Sequence, residues 1–240
     1  MVVHPSTDGI YFRLGSERVK ATAENVTDTT RSTRLGSVGT IEHLMSAFAG
    51  LEITDVEVEL DAPEVPGMDG SAGPFVAELV KAGLEVIGQV DPHQLYRRVF
   101  LHDGDTKIAV AKGNGHWRYV YEMGNRWPGT QPFEISSVVA GYQEEVCSAR
   151  TFALTEEIPM IIQMGLGKGL DESSALILGI EGYKNEPRFE DEPARHKLLD
   201  LIGDLYLSGV PIRLLNVVSE RSGHTTNVKA AAMLKQATES

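Results

Sequence analysis

One segment of the sequence carries an imidazole and two carboxylates at helical spacing. In RHKLLDLIGD (residues 195–204), His196 and Asp200 are four residues apart, and Asp204 follows after another four. Residues four apart on a helix project from one face, separated by about 40° around the axis. His196 and Asp200 could therefore supply two ligands of one metal ion, and another part of the chain would have to supply a third.

The third ligand is expected from His43, in the pair Glu42-His43. Zinc sites that catalyse hydrolysis usually use three protein ligands and leave the fourth position for water. His43, His196 and Asp200 meet that count with nitrogen and oxygen donors. A metal in such a site activates water and polarises a carbonyl oxygen, so the three residues predict a metal-dependent hydrolase.

Three further residues could supply the acid–base chemistry of that hydrolysis. Glu42 lies about 100° from His43 around a helix, so both can face one cleft, where Glu42 could accept a proton from water. His224, as an imidazolium, could stabilise the developing oxyanion and then protonate the leaving amine. Asp204 lies too far along its helix to bind the metal and is expected to hold the tautomer of a histidine.

Two amphipathic helices would carry most of these residues. Residues 41–50 place apolar side chains at i, i+3, i+4 and i+7 after Thr40, which is expected as the N-cap. A second helix is expected to begin at Pro193 and to run to about Ser208, where Gly209 ends it.

Strands and shorter helices fill the rest of the chain. Strands are expected at residues 10–14, 18–23, 55–60, 95–101, 106–111, 116–122, 133–139 and 212–219. Further helices are expected from Pro74 to Gly83, with Val80 on the inner face, and at residues 156–164 and 227–237. His224 would then lie in the loop between the last strand and the last helix. These elements predict two α+β domains, residues 1–91 and 92–240, that meet at a linker over residues 88–94.

Composition limits the partners and the compartment. The net charge of −12 over 240 residues argues against a surface that coats nucleic acid. The single cysteine, Cys147, excludes an internal disulfide and a cysteine-built zinc site, and it fits a reducing compartment. The N-terminus has no signal-peptide pattern, and no run of 18 apolar residues occurs. We therefore expect a cytoplasmic protein without a stable membrane anchor; the sequence leaves its oligomeric state open.

Each chemical feature is common by itself. A Glu-His pair on a helix usually lies at a solvated edge, and a His and an Asp four residues apart often form only a surface hydrogen bond. Lys197 would by default be an exposed cation, and Thr151 an ordinary strand residue. Longer strings of sequence change this weighting.

Five strings occur in one order along the chain: TIEHLMSAFAGL (40–51), PEVPGMDGSAGPF (63–75), SARTF (148–152), RHKLLDLIGDL (195–205) and SGH (222–224). Together they resemble the UDP-3-O-acyl-N-acetylglucosamine deacetylases, zinc enzymes of lipid A synthesis, from roughly residue 6 to residue 236. The resemblance implies two similar domains, each a β-sheet with helices on one face, packed as a sheet–helix–helix–sheet sandwich. The active site would lie where the domains meet.

The resemblance assigns the same roles to the residues identified above. It makes His43, His196 and Asp200 the zinc ligands and Glu42 the base, with His224 as the acid partner and Asp204 behind it.

It also adds residues that spacing did not identify. The Thr151 hydroxyl would donate to the oxyanion, and Lys197 would stabilise charge nearby. An insert over about residues 152–175, including Phe152 and Leu170, would form the passage for the acyl chain. Arg221 is suited to binding the diphosphate of the UDP group.

Departures from the family pattern leave alternatives open. The family's N-terminal strand pair has no counterpart before Thr7, which would leave a sheet edge unpaired and the cleft more open. Asp171 places a charge near the expected acyl passage, and the family's aromatic residue near the uridine is replaced around residues 124–127. The main alternative is therefore a related deacetylase of a non-acylated nucleotide sugar. A non-catalytic binding protein of the same fold is another, and Fe²⁺ could replace Zn²⁺ with these ligands.

Overall fold

The structure is a computed structural model that describes residues 1–88, 97–163 and 173–239. The strands are β1 Val2–Pro5, β2 Ile10–Leu14, β3 Glu17–Lys20, β4 Val26–Asp28, β5 Arg34–Leu35, β6 Val56–Leu60, β7 Val99–Asp103, β8 Thr106–Lys112, β9 Trp117–Glu122, β10 Thr130–Ile135, β11 Phe152–Leu154, β12 Leu176–Leu178 and β13 Leu215–Glu220. The helices are α1 Glu42–Gly50, α2 Gly73–Ala82, α3 Val138–Gly141, α4 Ile158–Gln163, α5 Glu192–Tyr206 and α6 His224–Glu239.

The first sheet has the strand order β1-β6-β2-β3. Strand β6 runs antiparallel to β1 and parallel to β2, and β3 completes a hairpin with β2. Alternation along β6 buries Val56, Val58 and Leu60 and leaves Glu57 and Glu59 on the other face. One face of this sheet therefore belongs to the core, as the period-two pattern predicts.

The second sheet has the order β10-β9-β13-β8-β7. Strand β13 runs antiparallel to β8 and parallel to β9, and β10 completes a hairpin with β9. Strand β7 adds an outer partner to β8.

The two sheets share one connectivity. In the first sheet, β6 follows the long helix α1 and inserts between β1 and β2; in the second, β13 follows the long helix α5 and inserts between β8 and β9. Each inserted strand is followed by another helix, and β7 is an additional outer strand that the first sheet lacks. Helix α1 in the first unit thus corresponds to α5 in the second, and β6 corresponds to β13. Two similar sheet-and-helix units are what the resemblance implies for the fold class.

The helices lie between the sheets. Helix α1, whose residues are all buried, packs against α5 and α2, and α5 packs in turn on β9, β10 and α6. One cluster of buried apolar residues connects the first sheet, both long helices and the second sheet. The expected sheet–helix–helix–sheet arrangement is confirmed.

The insert forms a small unit of its own. Strands β11 and β12 pair in parallel, with α4 between them along the chain. Residues 164–172 lie outside the described residues, as does the domain boundary expected near residue 91. The division into residues 1–91 and 92–240 therefore stays a prediction.

Several details of the sequence prediction are wrong. Thr40 does not cap α1: its φ is 58°, its hydroxyl donates to Glu64, and Ile41 directly precedes the helix. Val80 is 49% exposed, so the inner face of α2 is narrower than expected. His224 is the first residue of α6 and does not lie in a loop.

Strand ends also differ from the prediction. The strand expected at 133–139 begins at Thr130 and ends at Ile135, and the strand expected from Ile212 begins at Leu215 after a short helical turn. Among the helices of the described ranges, none is both long and apolar enough to cross a lipid bilayer.

Candidate metal centre and active site

Three side chains from the two long helices meet at one point. His43 comes from α1, and His196 and Asp200 come from α5, where they lie one turn apart. One nitrogen or oxygen atom from each of the three side chains lies within 4.8 Å of the corresponding atoms of the other two. The Nε2 atoms of His43 and His196 lie 3.5 and 3.4 Å from Oδ1 of Asp200. Ligands held tetrahedrally at about 2.0–2.1 Å from zinc would be about 3.3–3.4 Å apart, so these separations fit a metal.

The hydrogen bonds around the cluster leave Nε2 of His196 and Oδ1 of Asp200 available to coordinate a metal. The backbone carbonyl of Ala149 accepts a hydrogen bond of 3.1 Å from Nδ1 of His196, which leaves Nε2 with its lone pair toward the cluster. Lys197 donates to Oδ2 of Asp200 at 2.9 Å. Oδ1 of Asp200 is buried and accepts no hydrogen bond from any described residue. A buried carboxylate oxygen without a donor is costly, and a cation would satisfy it.

The protonation states of His196 and Asp200 suit metal binding. Burial lowers the pKa of His196 to about 4, so its imidazole is neutral near pH 7. Burial alone would raise the pKa of Asp200, but the Lys197 ammonium and the neighbouring imidazoles hold that pKa well below its ordinary value. The cluster therefore presents a neutral nitrogen ligand and an ionised oxygen ligand.

Glu42 is adjacent to the cluster and is held by the backbone. Its Oε2 accepts a hydrogen bond of 3.0 Å from the backbone N–H of Thr33. Burial raises the pKa of the Glu42 carboxyl, which makes its carboxylate a stronger base than that of an exposed glutamate.

His224 and Asp204 form a buried pair at the start of α6. Nδ1 of His224 donates to Oδ2 of Asp204 at 3.0 Å, which orients the ring and leaves Nε2 as its second site for a proton. Burial alone would lower the pKa of His224, but the charge of Asp204 outweighs it and raises the pKa to about 9. The imidazole is therefore protonated at neutral pH, as a general acid must be.

Two residues that the sequence analysis did not identify complete the surroundings of Asp204. The Thr33 hydroxyl donates to Oδ1 at 2.6 Å, and Nδ2 of Asn227 donates to Oδ2 at 3.0 Å. Thr33 lies in the loop between β4 and β5, 171 positions from Asp204. No spacing rule connects residues so far apart. Asn227 follows His224 by three, and this one-turn spacing was an available signal.

The β11 segment borders the cluster on another side. Phe152 packs edge-on against His196 at 6.1 Å between ring centroids and against Tyr121 at 5.3 Å. Nζ of Lys197 lies 5.7 Å from the centroid of the Phe152 ring. Thr151 precedes Phe152, and its backbone N–H donates to Gly70. The segment from Ala149 to Phe152 thus follows the edge of the candidate site.

The other two predicted substrate contacts, Arg221 and Leu170, are not seen beside the candidate metal ligands. Arg221 lies at the end of β13 with a φ of 57° and a half-exposed side chain, 3.7 Å from Asp105. It is three residues before His224 in the sequence and is not one of the three side chains that could hold the metal. Leu170, like Asp171, lies outside the described residues.

The arrangement suits amide hydrolysis. The candidate base, Glu42, lies beside the candidate metal ligands, and a separately oriented imidazolium lies at the start of α6. A base for water and an acid for the leaving nitrogen are the two groups that hydrolysis of an amide requires.

Comparison with known proteins gives one consistent result. The family model described as UDP-3-O-acyl N-acetylglycosamine deacetylase (LpxC) matches residues 1–236. A UDP-3-O-acyl-N-acetylglucosamine deacetylase from Citrifermentans bemidjiense is 37% identical over 226 residues, which cover 90% of this chain and 73% of the relative. The protein of the same name from Cellvibrio japonicus is 37% identical over 249 residues, covering 96% and 80%. That from Syntrophotalea carbinolica is 35% identical over 242 residues, covering 95% and 78%.

Proposed function

The chain belongs to the UDP-3-O-acyl-N-acetylglycosamine deacetylase family, and from this premise we propose that it hydrolyses the N-acetyl amide of UDP-3-O-acyl-N-acetylglucosamine in lipid A synthesis. The observation that carries the proposal is the convergence of His43 with His196 and Asp200, from helices more than 140 residues apart in sequence. The products are acetate and the free amine of the sugar.

His43, His196 and Asp200 would hold the metal, which we propose to be Zn²⁺. When bound, the metal supplies a Lewis acid that polarises the amide carbonyl and activates water. Two imidazoles and a carboxylate also suit Fe²⁺, so the test of metal identity compares both ions.

Glu42 would accept the proton of the attacking water at its carboxylate. Its buried position and its bond to the Thr33 N–H keep the carboxylate beside the metal ligands. His224 would donate the proton of Nε2 to the leaving nitrogen, while Asp204 stabilises the imidazolium from Nδ1. The Thr151 hydroxyl and the Lys197 ammonium would stabilise the charge that develops on the carbonyl oxygen.

Substrate binding would use residues of the insert and Arg221 at the end of β13. Phe152, packed edge-on against His196 and Tyr121, offers an apolar surface next to the candidate metal ligands for the start of the acyl chain. Leu170, which lies outside the described residues, stays a predicted contact for the acyl chain. Arg221 offers an accessible guanidinium for the diphosphate. Because Cys147 has no cysteine partner in the chain, we place the reaction in the reducing cytoplasm.

Acetate release from acylated and non-acylated UDP-N-acetylglucosamine, measured side by side, tests this proposal. We expect turnover of the acylated substrate and at least a tenfold lower kcat/KM without the acyl chain, since binding energy along the chain contributes to catalysis. Equal turnover of both substrates would favour a deacetylase of non-acylated nucleotide sugars. Metal-loaded protein that hydrolyses neither would contradict the proposal and favour a binding protein.

A further inference from the structure

Thr33 contacts the candidate base and the carboxylate behind the candidate acid at the same time. Its backbone N–H donates to Oε2 of Glu42 at 3.0 Å, and its hydroxyl donates to Oδ1 of Asp204 at 2.6 Å. We infer that Thr33 is a positioning residue that sets the orientation of Asp204, and through it of His224, relative to Glu42. This inference rests on the deacetylase function proposed above.

The hydroxyl supplies a bond that Asp204 does not receive elsewhere in the described chain. Oδ2 of Asp204 accepts hydrogen bonds from both His224 and Asn227, whereas Oδ1 accepts one from Thr33. Donors on both oxygens fix the rotation of a carboxylate about its Cβ–Cγ bond. Without the donor on Oδ1, the plane of the Asp204 carboxylate can turn, and the imidazole that it holds turns with it.

The position of Thr33 is maintained by contacts that do not use its hydroxyl. Its backbone carbonyl accepts a hydrogen bond from the N–H of Ile41 at 3.2 Å. The same loop is attached to α6 through the hydroxyls of Thr29 and Thr225, 2.7 Å apart. The side chain of Thr33 is fully buried, so valine, which has the same shape, fills the same space. Replacing the hydroxyl by a methyl group therefore removes the bond to Asp204 and leaves the loop in place.

The test compares Thr33→Val and Thr33→Ser in the metal-loaded enzyme with the acylated substrate. We expect Thr33→Val to lower kcat by about 10- to 100-fold, the range for a buried hydrogen bond to a charged group, with KM changed by less than about threefold. Thr33→Ser keeps the hydroxyl and should retain kcat within about threefold of the parent. A residue that only filled space would give the opposite order, because serine leaves a cavity and valine does not.

A double-mutant cycle shows whether the effect passes through Asp204. In an Asp204→Asn background, Thr33→Val should cost less than about threefold in kcat, since the carboxylate that it orients is already gone. Equal losses in both backgrounds would overturn the inference. So would a normal kcat in Thr33→Val.

The controls separate this inference from the function on which it rests. Thr27→Val removes a threonine hydroxyl from the same hairpin, where it donates to the Gly36 carbonyl at 2.8 Å, and should leave kcat unchanged. If Thr33→Val fails to fold, Thr33→Ser and Thr33→Ala form a second pair that differs only in the hydroxyl, and equal kcat in that pair would overturn the inference. Absence of acetate release by the parent enzyme would instead contradict the proposed function.

Discussion

A Cβ atom at Gly203 would lie 2.0 Å from the backbone carbonyl oxygen of Glu42. That Cβ atom would also lie 3.0 Å from the backbone N of Ser46. Helix α5 thus touches the backbone of α1 at the turn that carries Glu42 and His43. This contact sets the distance between the candidate metal ligand on α1 and the two on α5.

Gly203→Ala should therefore disrupt the site. Within a helix alanine is ordinarily favoured over glycine by up to about 1 kcal/mol. Here the added methyl group must push α1 away, at a cost of about 1–3 kcal/mol, and His43 moves with it. We expect a lower Tm, weaker zinc binding and a kcat reduced by at least about 100-fold. Gly182→Ala, where a Cβ meets nothing within 4 Å, is the control. Unchanged zinc affinity in Gly203→Ala would show that the contact is not essential.

Glu42→Gln separates acid–base chemistry from metal binding. The amide keeps the shape of the side chain but cannot accept the proton of water, so kcat should fall by about 100-fold or more. Zinc content, measured on the purified protein, should stay at one ion per chain because Glu42 is not a ligand in the proposed site. A variant with near-normal turnover would remove Glu42 from the role of base.

The pH profile of kcat/KM should fall on both sides of an optimum. His224 must be protonated to act as the acid, so activity should be lost as the pH rises through its pKa of about 9. Glu42 must be ionised to act as the base, so activity should be lost as the pH falls through its raised pKa.

Asp204→Asn identifies the group responsible for the alkaline limb. Burial lowers the pKa of His224 once the charge of Asp204 is gone, so this limb should move to lower pH. The acidic limb should move much less. An alkaline limb that stays near pH 9 in the variant would belong to a group other than His224.

Removal of the metal should abolish acetate release, and Zn²⁺ should restore it. Loading at 100 times the dissociation constant should stabilise the fold by about 2.7 kcal/mol, visible as a higher Tm. His43→Gln and His196→Gln should each lose most of this shift. Full activity of metal-free protein would contradict the proposed chemistry, and restoration by Fe²⁺ but not Zn²⁺ would correct the identity of the ion.

The buried ion pair between Arg150 and Glu192, the first residue of α5, should stabilise the fold. Glu192, fully buried, accepts hydrogen bonds from the Nε and the backbone N–H of Arg150, each at 2.9 Å. Glu192→Gln breaks this buried ion pair and should lower the free energy of unfolding by about 3–5 kcal/mol. Glu78→Gln breaks an exposed pair with Lys81 and should change it by less than about 1 kcal/mol. Chemical denaturation of both variants measures the difference.

The three candidate metal ligands could be predicted from the sequence because helical spacing and apolar periodicity are local patterns. His196 and Asp200 lie one helical turn apart, and His43 lies on a helix with a clear apolar stripe. The contacts of Thr33 and the carbonyl of Ala149 could not be predicted in this way, because each depends on a tertiary approach between distant segments.

The missed secondary structure has a similar cause. Strands β4, β5, β11 and β12 have only two or three residues, too few for a period-two pattern, and depend on their pairing partners. Thr40 resembles an N-cap in sequence, but its left-handed backbone and its bond to Glu64 belong to the turn before the helix.

Helices α1 and α5 occupy the same place in two copies of one connectivity, yet they carry different halves of the chemistry. The first copy carries the candidate base and one candidate metal ligand, and the second carries the other two candidate ligands and the carboxylate bonded to the candidate acid. Neither copy alone holds all the residues of the candidate site. A substitution in either copy that changes how α1 docks on α5 should therefore impair the whole candidate site.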